Sequence, residues 1–179
     1  MRTRIFSILA IAFLFAFASC EDDLLDITEE FSYEREIVVF TTDTVASALE
    51  IIDMKEASSI ISEYKDKIKT IEITGVEYWL TFFEGTNDQS IIIASLKVGN
   101  ESGGDQMLIA EVANKNLKAL FETPTQLEVQ QAGLDKMAEL IKNDPHKFSL
   151  NYNTACNKGP LNFKVKFKFT IKMVANPLS

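Results

Sequence analysis

The side chains that could do chemistry are few. The chain has one histidine, His146, and two cysteines, Cys20 and Cys156. A thiol nucleophile needs a base beside it, and Cys156 is ten residues from His146 with a strand expected between them. Ser-His-Asp chemistry would rest on the same imidazole, and no serine stands in a G-x-S-x-G setting. Zinc takes three or four His or Cys ligands, and His146 and Cys156 alone cannot supply them once Cys20 is assigned to the N-terminal signal described below. The phosphate-cradling patterns are absent, and Gly103-Gly104 reads as a loop. Asn100, Glu101 and Asp105 share that loop as possible oxygen ligands, but without EF-hand order. Paired carboxylates suit acid-base hydrolysis, yet no spacing singles out a pair. The expectation is a protein that is not an enzyme, with no cofactor and no metal.

Two patterned features remain. Lys164, Lys166, Lys168 and Lys172 alternate along one segment, and after Asp144 no acidic side chain follows. Ammonium groups ~7 Å apart on a strand can hold an anionic polymer; they can equally keep a wet strand face soluble and discourage edge-to-edge pairing. Trp79 and Phe83 are expected to share a strand face near a turn, which would suit them to stack on a sugar where that face is open. The other aromatic residues either fill a core or line a cavity for an apolar ligand.

The elements that would carry these residues follow from periodicity. Residues 36–42 are rich in β-branched side chains and alternate Ile37 and Val39 with Val38 and Phe40, a strand expected to be buried on both faces or flanked by a helix. Asp53 and Glu56 form a capping box before Ala57, Ile60, Ile61, Tyr64 and Ile68 at helical spacing, giving an amphipathic helix over 53–68. From Thr70 the period becomes two, with a bulge expected at Gly75, and 70–98 reads as a hairpin turning at 84–89. Met107 to Val112 is taken as a strand. Thr123, Pro124 and Gln126 suggest a helix start, so a second helix is expected over 124–142. Alternating residues from Phe148 to Tyr152 and from Phe163 to Met173, around a turn at Lys158-Gly159-Pro160, read as a C-terminal hairpin. The fold class is therefore α+β: a mostly antiparallel, sandwich-like sheet domain with two amphipathic helices.

The N-terminus speaks to location. Arg2 and Arg4 precede an apolar run at residues 5–18 broken only by Ser7, then Ser19-Cys20. That is the charged, apolar and small-residue order of a secretion signal, too short to span a bilayer. Phe17-Ala18-Ser19-Cys20 resembles a bacterial lipobox, with Phe where Leu is usual, as occurs in Bacteroidota. Glu21-Asp22-Asp23 resembles the acidic run that exports many Bacteroidota lipoproteins to the cell surface, and Asp43-Thr44-Val45 resembles the O-glycosylation sequon of that phylum, at Thr44. The resemblance implies a signal peptide at 1–19, acylation of Cys20, and a lipid anchor in the outer membrane facing outward. Residues 20–35, with seven acids against Arg35, read as a tether, leaving 36–179 as one domain.

At 179 residues, with 46% hydrophobic and 25% charged side chains, the chain suits a single folded domain. Without residues 1–19 it carries 16 basic and 26 acidic side chains, a net −10 that repels nucleic acid. The function expected is a non-enzymatic envelope lipoprotein, a surface-displayed binding or assembly module for a glycan or protein partner. A carrier of an apolar or lipid ligand is the alternative, and an acid-base hydrolase a third.

Overall fold

The computed structural model describes residues 25–178. Eight strands run β1 (Ile27–Thr41), β2 (Val45–Asp53), β3 (Ile68–Phe83), β4 (Ser90–Gly99), β5 (Met107–Asn116), β6 (Thr125–Gln126), β7 (Lys147–Cys156) and β8 (Leu161–Ala175). They form two antiparallel four-stranded sheets, ordered β1-β8-β3-β6 and β2-β7-β4-β5. Successive strands mostly change sheet, and this order is that of an eight-stranded jelly roll. Inward residues of the two sheets interdigitate: Phe163, Phe167 and Phe169 of β8 meet Phe148, Leu150 and Tyr152 of β7, all buried. Tyr152 and Phe167 pack as tilted rings 5.7 Å apart, and Tyr33 stacks on Phe169.

Alternation in β3, β7 and β8 was a sound guide to strands, and the bulge at Gly75 is present as a register shift between Ile73 and Gly75. The hairpins are not. β3 pairs with β8 and β6 while β4 pairs with β5 and β7, and β7 and β8 likewise lie in different sheets. The turns at 84–89 and 157–160 carry the chain across the sandwich.

Both helices also need correction. The 53–68 segment breaks into α1 (Met54–Ala57) and α2 (Ser59–Tyr64), followed by a 3-10 turn at Lys65–Lys67. Asp53 caps the first piece as expected, but Ser58 is extended and its hydroxyl accepts from the Ile61 N–H, starting a new helix where one was to continue. After α3 (Leu117–Leu120), the helix placed over 124–142 begins only at Gln131, as α4 (Gln131–Lys142). Thr125 and Gln126 instead pair with Tyr78 and Glu77 as β6, and Val129 bridges Ala110. β6 covers only two residues of β3, and α4 closes the gap beside it with Leu134, Met137 and Ile141. Gly133 lets α4 also lie against β5, because a Cβ there would lie 2.2 Å from the Leu108 carbonyl oxygen.

β1 starts at Ile27, so most of the supposed tether is strand. The acids of that stretch face lysines: Glu30, Glu34 and Glu36 are register partners of Lys172, Lys168 and Lys166. β1 is also not buried on both sides, since Ile37 and Val39 are buried and Val38 and Phe40 are exposed. Ile27 lies beside Ala175, so the chain enters and leaves the sandwich at one end. At the other end three turns are laced together. The buried Gln89 carboxamide donates to the Lys158 and Pro160 carbonyls at 2.9 Å, and the Cys156 N–H donates to Thr44 O at 2.8 Å.

Candidate functional site

Cys20, Glu21, Asp22 and Asp23 lie outside the described residues. Thr44 is exposed in the β1–β2 turn. The lysine row occupies the outer face of β8, a central strand flanked by carboxylates. Lys164 pairs with Glu36 at 3.2 Å, Lys166 with Glu34 at 3.1 Å and Lys168 with Glu77 at 3.2 Å. Lys172 has Glu30 on one side and Glu72 on the other as register partners. Compensation on both flanks removes the uniform positive field that an anionic polymer would need.

Trp79 lies on this same face, with the Lys166 ammonium 5.7 Å from its ring centroid, a cation–π contact. Phe83 does not join it. A second register shift, between Leu80 and Phe82, turns Phe82 outward opposite Lys164 and sets Phe83 opposite the buried Phe163, packed against the core. A sugar could not stack on both rings.

Cys156 is buried near Thr154, and burial pushes its thiol up from the ordinary value. His146 is buried at the opposite end of β7, about 30 Å away at the rise of a strand, with Nδ1 2.8 Å from the Ile141 carbonyl oxygen. The 99–106 loop spends Asn100 on itself, its Oδ1 accepting from the Ser102 and Gly104 N–H groups, while Asp105 pairs with Lys136 at 2.9 Å. Among the described residues no three His, Cys, Asp or Glu side chains are grouped to hold a metal ion. Between the sheets the void beside Tyr78, Tyr152 and Phe167 is about 20 Å³, far below the several hundred Å³ that a lipid requires.

What sequence reasoning missed is an apolar corner. β1 and β2 are edge strands of opposite sheets, and they leave a groove of about 260 Å³ lined by Val38, Phe40, Val45 and Ala48 among others. Phe40 is 80% exposed, Val45 62% and Val38 58%. Closer to the entry end the same edge is guarded, because Arg35 of β1 donates to Glu50 of β2 and the pair spans the two sheets. Towards the turn at 42–44 no charge takes over that role on these two strands, and natural edges usually carry one. The available signal was in 45–52, where Val45, Leu49 and Ile51 are apolar on one face and Ala46, Ala48 and Ile52 on the other.

No family model matches the chain, and no curated protein does. Among solved structures it is similar to Desmodium yellow mottle tymovirus at 11% identity, with a TM-score of 0.35 over 83% of this chain and 89% of that one. Turnip yellow mosaic virus gives 10% identity and a TM-score of 0.39, covering 83% and 81%. A semi-empty particle of the Macrobrachium rosenbergii nodavirus gives 8% and 0.40, covering 88% and 97%. Likenesses this weak carry no argument about what the chain does.

Proposed function

We propose that this chain is a non-enzymatic lipoprotein of the outer membrane, anchored through Cys20, exported by Glu21-Asp22-Asp23, and displayed so that the β1–β2 corner engages a protein partner of the envelope. The observation that carries the reading is Phe40, flanked by Val38 and Val45 on edge strands with unpaired backbone groups. An aromatic ring left 80% in water exposes on the order of 150 Å² of apolar surface, and such a ring beside an open edge is the usual anchor of an interface. The anchored end and this corner are opposite ends of β1, which supports presentation away from the membrane.

Three measurements test the parts. Palmitate labelling should disappear in Cys20→Ser, and continued incorporation refutes the anchor. Neutralising Glu21, Asp22 and Asp23 should protect the domain from protease added to intact cells; unchanged cleavage refutes their export role. A photo-crosslinking residue at position 40 should give one discrete adduct in living cells that is lost on Val38→Asp, whereas the same residue at Asn87 gives none. Absence of an adduct, or one indifferent to Val38→Asp, refutes the corner as a docking site.

A further inference from the structure

β2 is an edge strand, and its pairing with β7 fixes which of its backbone groups are free. The Cys156 N–H donates to Thr44 O at 2.8 Å and the Met54 N–H to His146 O at 2.9 Å. Both bonds continue the register that sets Val45 opposite Ala155 and Asp53 opposite Lys147. Residues that bond a given neighbour alternate along an antiparallel strand. The even-numbered residues of β2 therefore spend their N–H and C=O groups on β7, and Val45, Ser47, Leu49 and Ile51 direct theirs to the open edge. Val45, Leu49 and Ile51 are also exposed apolar side chains. From Val45 to Leu49 no residue is charged, and Glu50, held by Arg35, closes the stretch. The edge runs between two depressions, the groove beside Phe40 and a trough of about 460 Å³ on the outer face of the β2-β7-β4-β5 sheet, both lined by Val45, Ala46 and Ser47.

We infer that the occupant of this corner is a second copy of the chain, whose β2 adds antiparallel to β2 about a two-fold axis at Ser47. The inference rests on the corner being a docking site, as proposed above. What selects a second copy over a foreign strand is that Val45–Leu49 is complementary to itself reversed. The axis at Ser47 sets the free groups of residues 45, 47 and 49 against those of 49, 47 and 45, pairing Val45 with Leu49 and Ala46 with Ala48 of the other copy. Beyond that stretch Glu50 falls opposite Thr44 and Asp43 opposite Ile51, so no like charges meet; an axis at Ala48 would oppose Asp43 to Asp53. Val38, Phe40, Val45, Leu49 and Ile51 expose on the order of 500 Å² of side chain per copy. Two copies together then reach roughly 1,000 Å², the lower limit for specific association and the range of weak, reversible dimers. The two-fold reverses β2, so the entry ends of the two sandwiches point away from each other. The residues between Cys20 and Ile27 reach about 25 Å, half the length of β1. Copies anchored through Cys20 therefore meet in this way from facing membranes, which makes the dimer a bridge between surfaces.

The test is disulfide trapping in the full acylated chain reconstituted into lipid vesicles, where Cys156 is buried and does not compete. Ser47→Cys places two thiols on the axis with Cα atoms about 5.5 Å apart, so mild oxidation should give a covalent dimer. Leu49→Cys alone should give none, because the two copies of residue 49 lie about 13 Å apart along the strands, whereas Val45→Cys vesicles mixed with Leu49→Cys vesicles should yield the mixed dimer. Vesicles carrying the parent chain should cluster, read as a rise in light scattering. Val45→Asp, on the exposed edge, should abolish clustering and cut the Ser47→Cys link at least tenfold with the circular dichroism spectrum unchanged. A Ser47→Cys chain that stays monomeric, or a Leu49→Cys chain that links as fast, overturns the second copy. If the adduct at position 40 then still forms and is lost on Val38→Asp, the corner stands as a docking site for a different protein; if that adduct is missing too, the docking site itself falls. A Ser47→Cys dimer that forms without vesicle clustering overturns the bridge between facing membranes.

Discussion

Replacing Lys164, Lys166 and Lys168 together with Gln distinguishes a compensated row from a free one. The ion pairs with Glu36, Glu34 and Glu77 are 3.1–3.2 Å long between half-exposed side chains, where each pair contributes about 0.2–1 kcal/mol. Lys166 also loses its place over Trp79, about 0.5 kcal/mol at an exposed site. The three removals leave Glu34, Glu36 and Glu77 facing one another across β8, so the expected loss is about 1–2 kcal/mol, or roughly 4 °C in Tm for a domain of this size. Thermal melts followed by far-UV circular dichroism at low salt should show it. Raising ionic strength to about 1 M, where the screening length falls to about 3 Å, should shrink the gap to less than half. Adding Glu34→Gln, Glu36→Gln and Glu77→Gln should recover most of it, since the cycle then removes both partners. An unchanged Tm at low salt, or a loss insensitive to salt, refutes the pairing argument.

Phe167→Ala should destabilise by about 3–5 kcal/mol in denaturant unfolding, because the ring is buried against Tyr152 with nothing free to fill the space. Gly133→Ala should also destabilise, by about 1–3 kcal/mol, despite the better helix propensity of Ala, since its Cβ would meet backbone atoms of Leu108 and Ile109; a more stable variant refutes the close approach. The Glu36 carboxyl is held below its ordinary value of 4.5, first by the Thr81 hydroxyl and then by Lys164. Its contribution is therefore present above about pH 4.5 and lost as pH falls through the lower folded value. Glu36→Gln should lower Tm at neutral pH and flatten the decline on acidification; parallel curves for parent and variant refute the coupling.

Inward residues were legible because β7 and β8 alternate cleanly, but alternation names a face and never a partner. The 84–89 and 157–160 turns are short enough for hairpins, and their role as crossings between sheets is set by what fills the layer between them. β2 gave no alternation because both its faces are apolar, and that same property makes its corner a candidate site. The tether was misread because the acids from Glu29 to Glu36 look like solvating charge until the lysines of β8 are placed beside them. Thr81 shifts the register with no glycine to announce it, which separates Phe83 from Trp79.

Because β1 begins at Ile27, only residues 21–26 separate Cys20 from the first strand, and seven peptide steps reach about 25 Å at full stretch. The C-terminal residues Pro177 and Leu178 emerge beside that same end. Under the proposed anchoring at Cys20, an epitope fused after Ser179 would lie close to the lipid headgroups, shaded from antibodies by the domain above it. A negative surface stain from such a fusion would misreport the orientation of the whole molecule. A tag inserted between Thr86 and Asp88 would lie some 50 Å from that end, the length of a fifteen-residue strand, and on the same proposal would give the reliable readout.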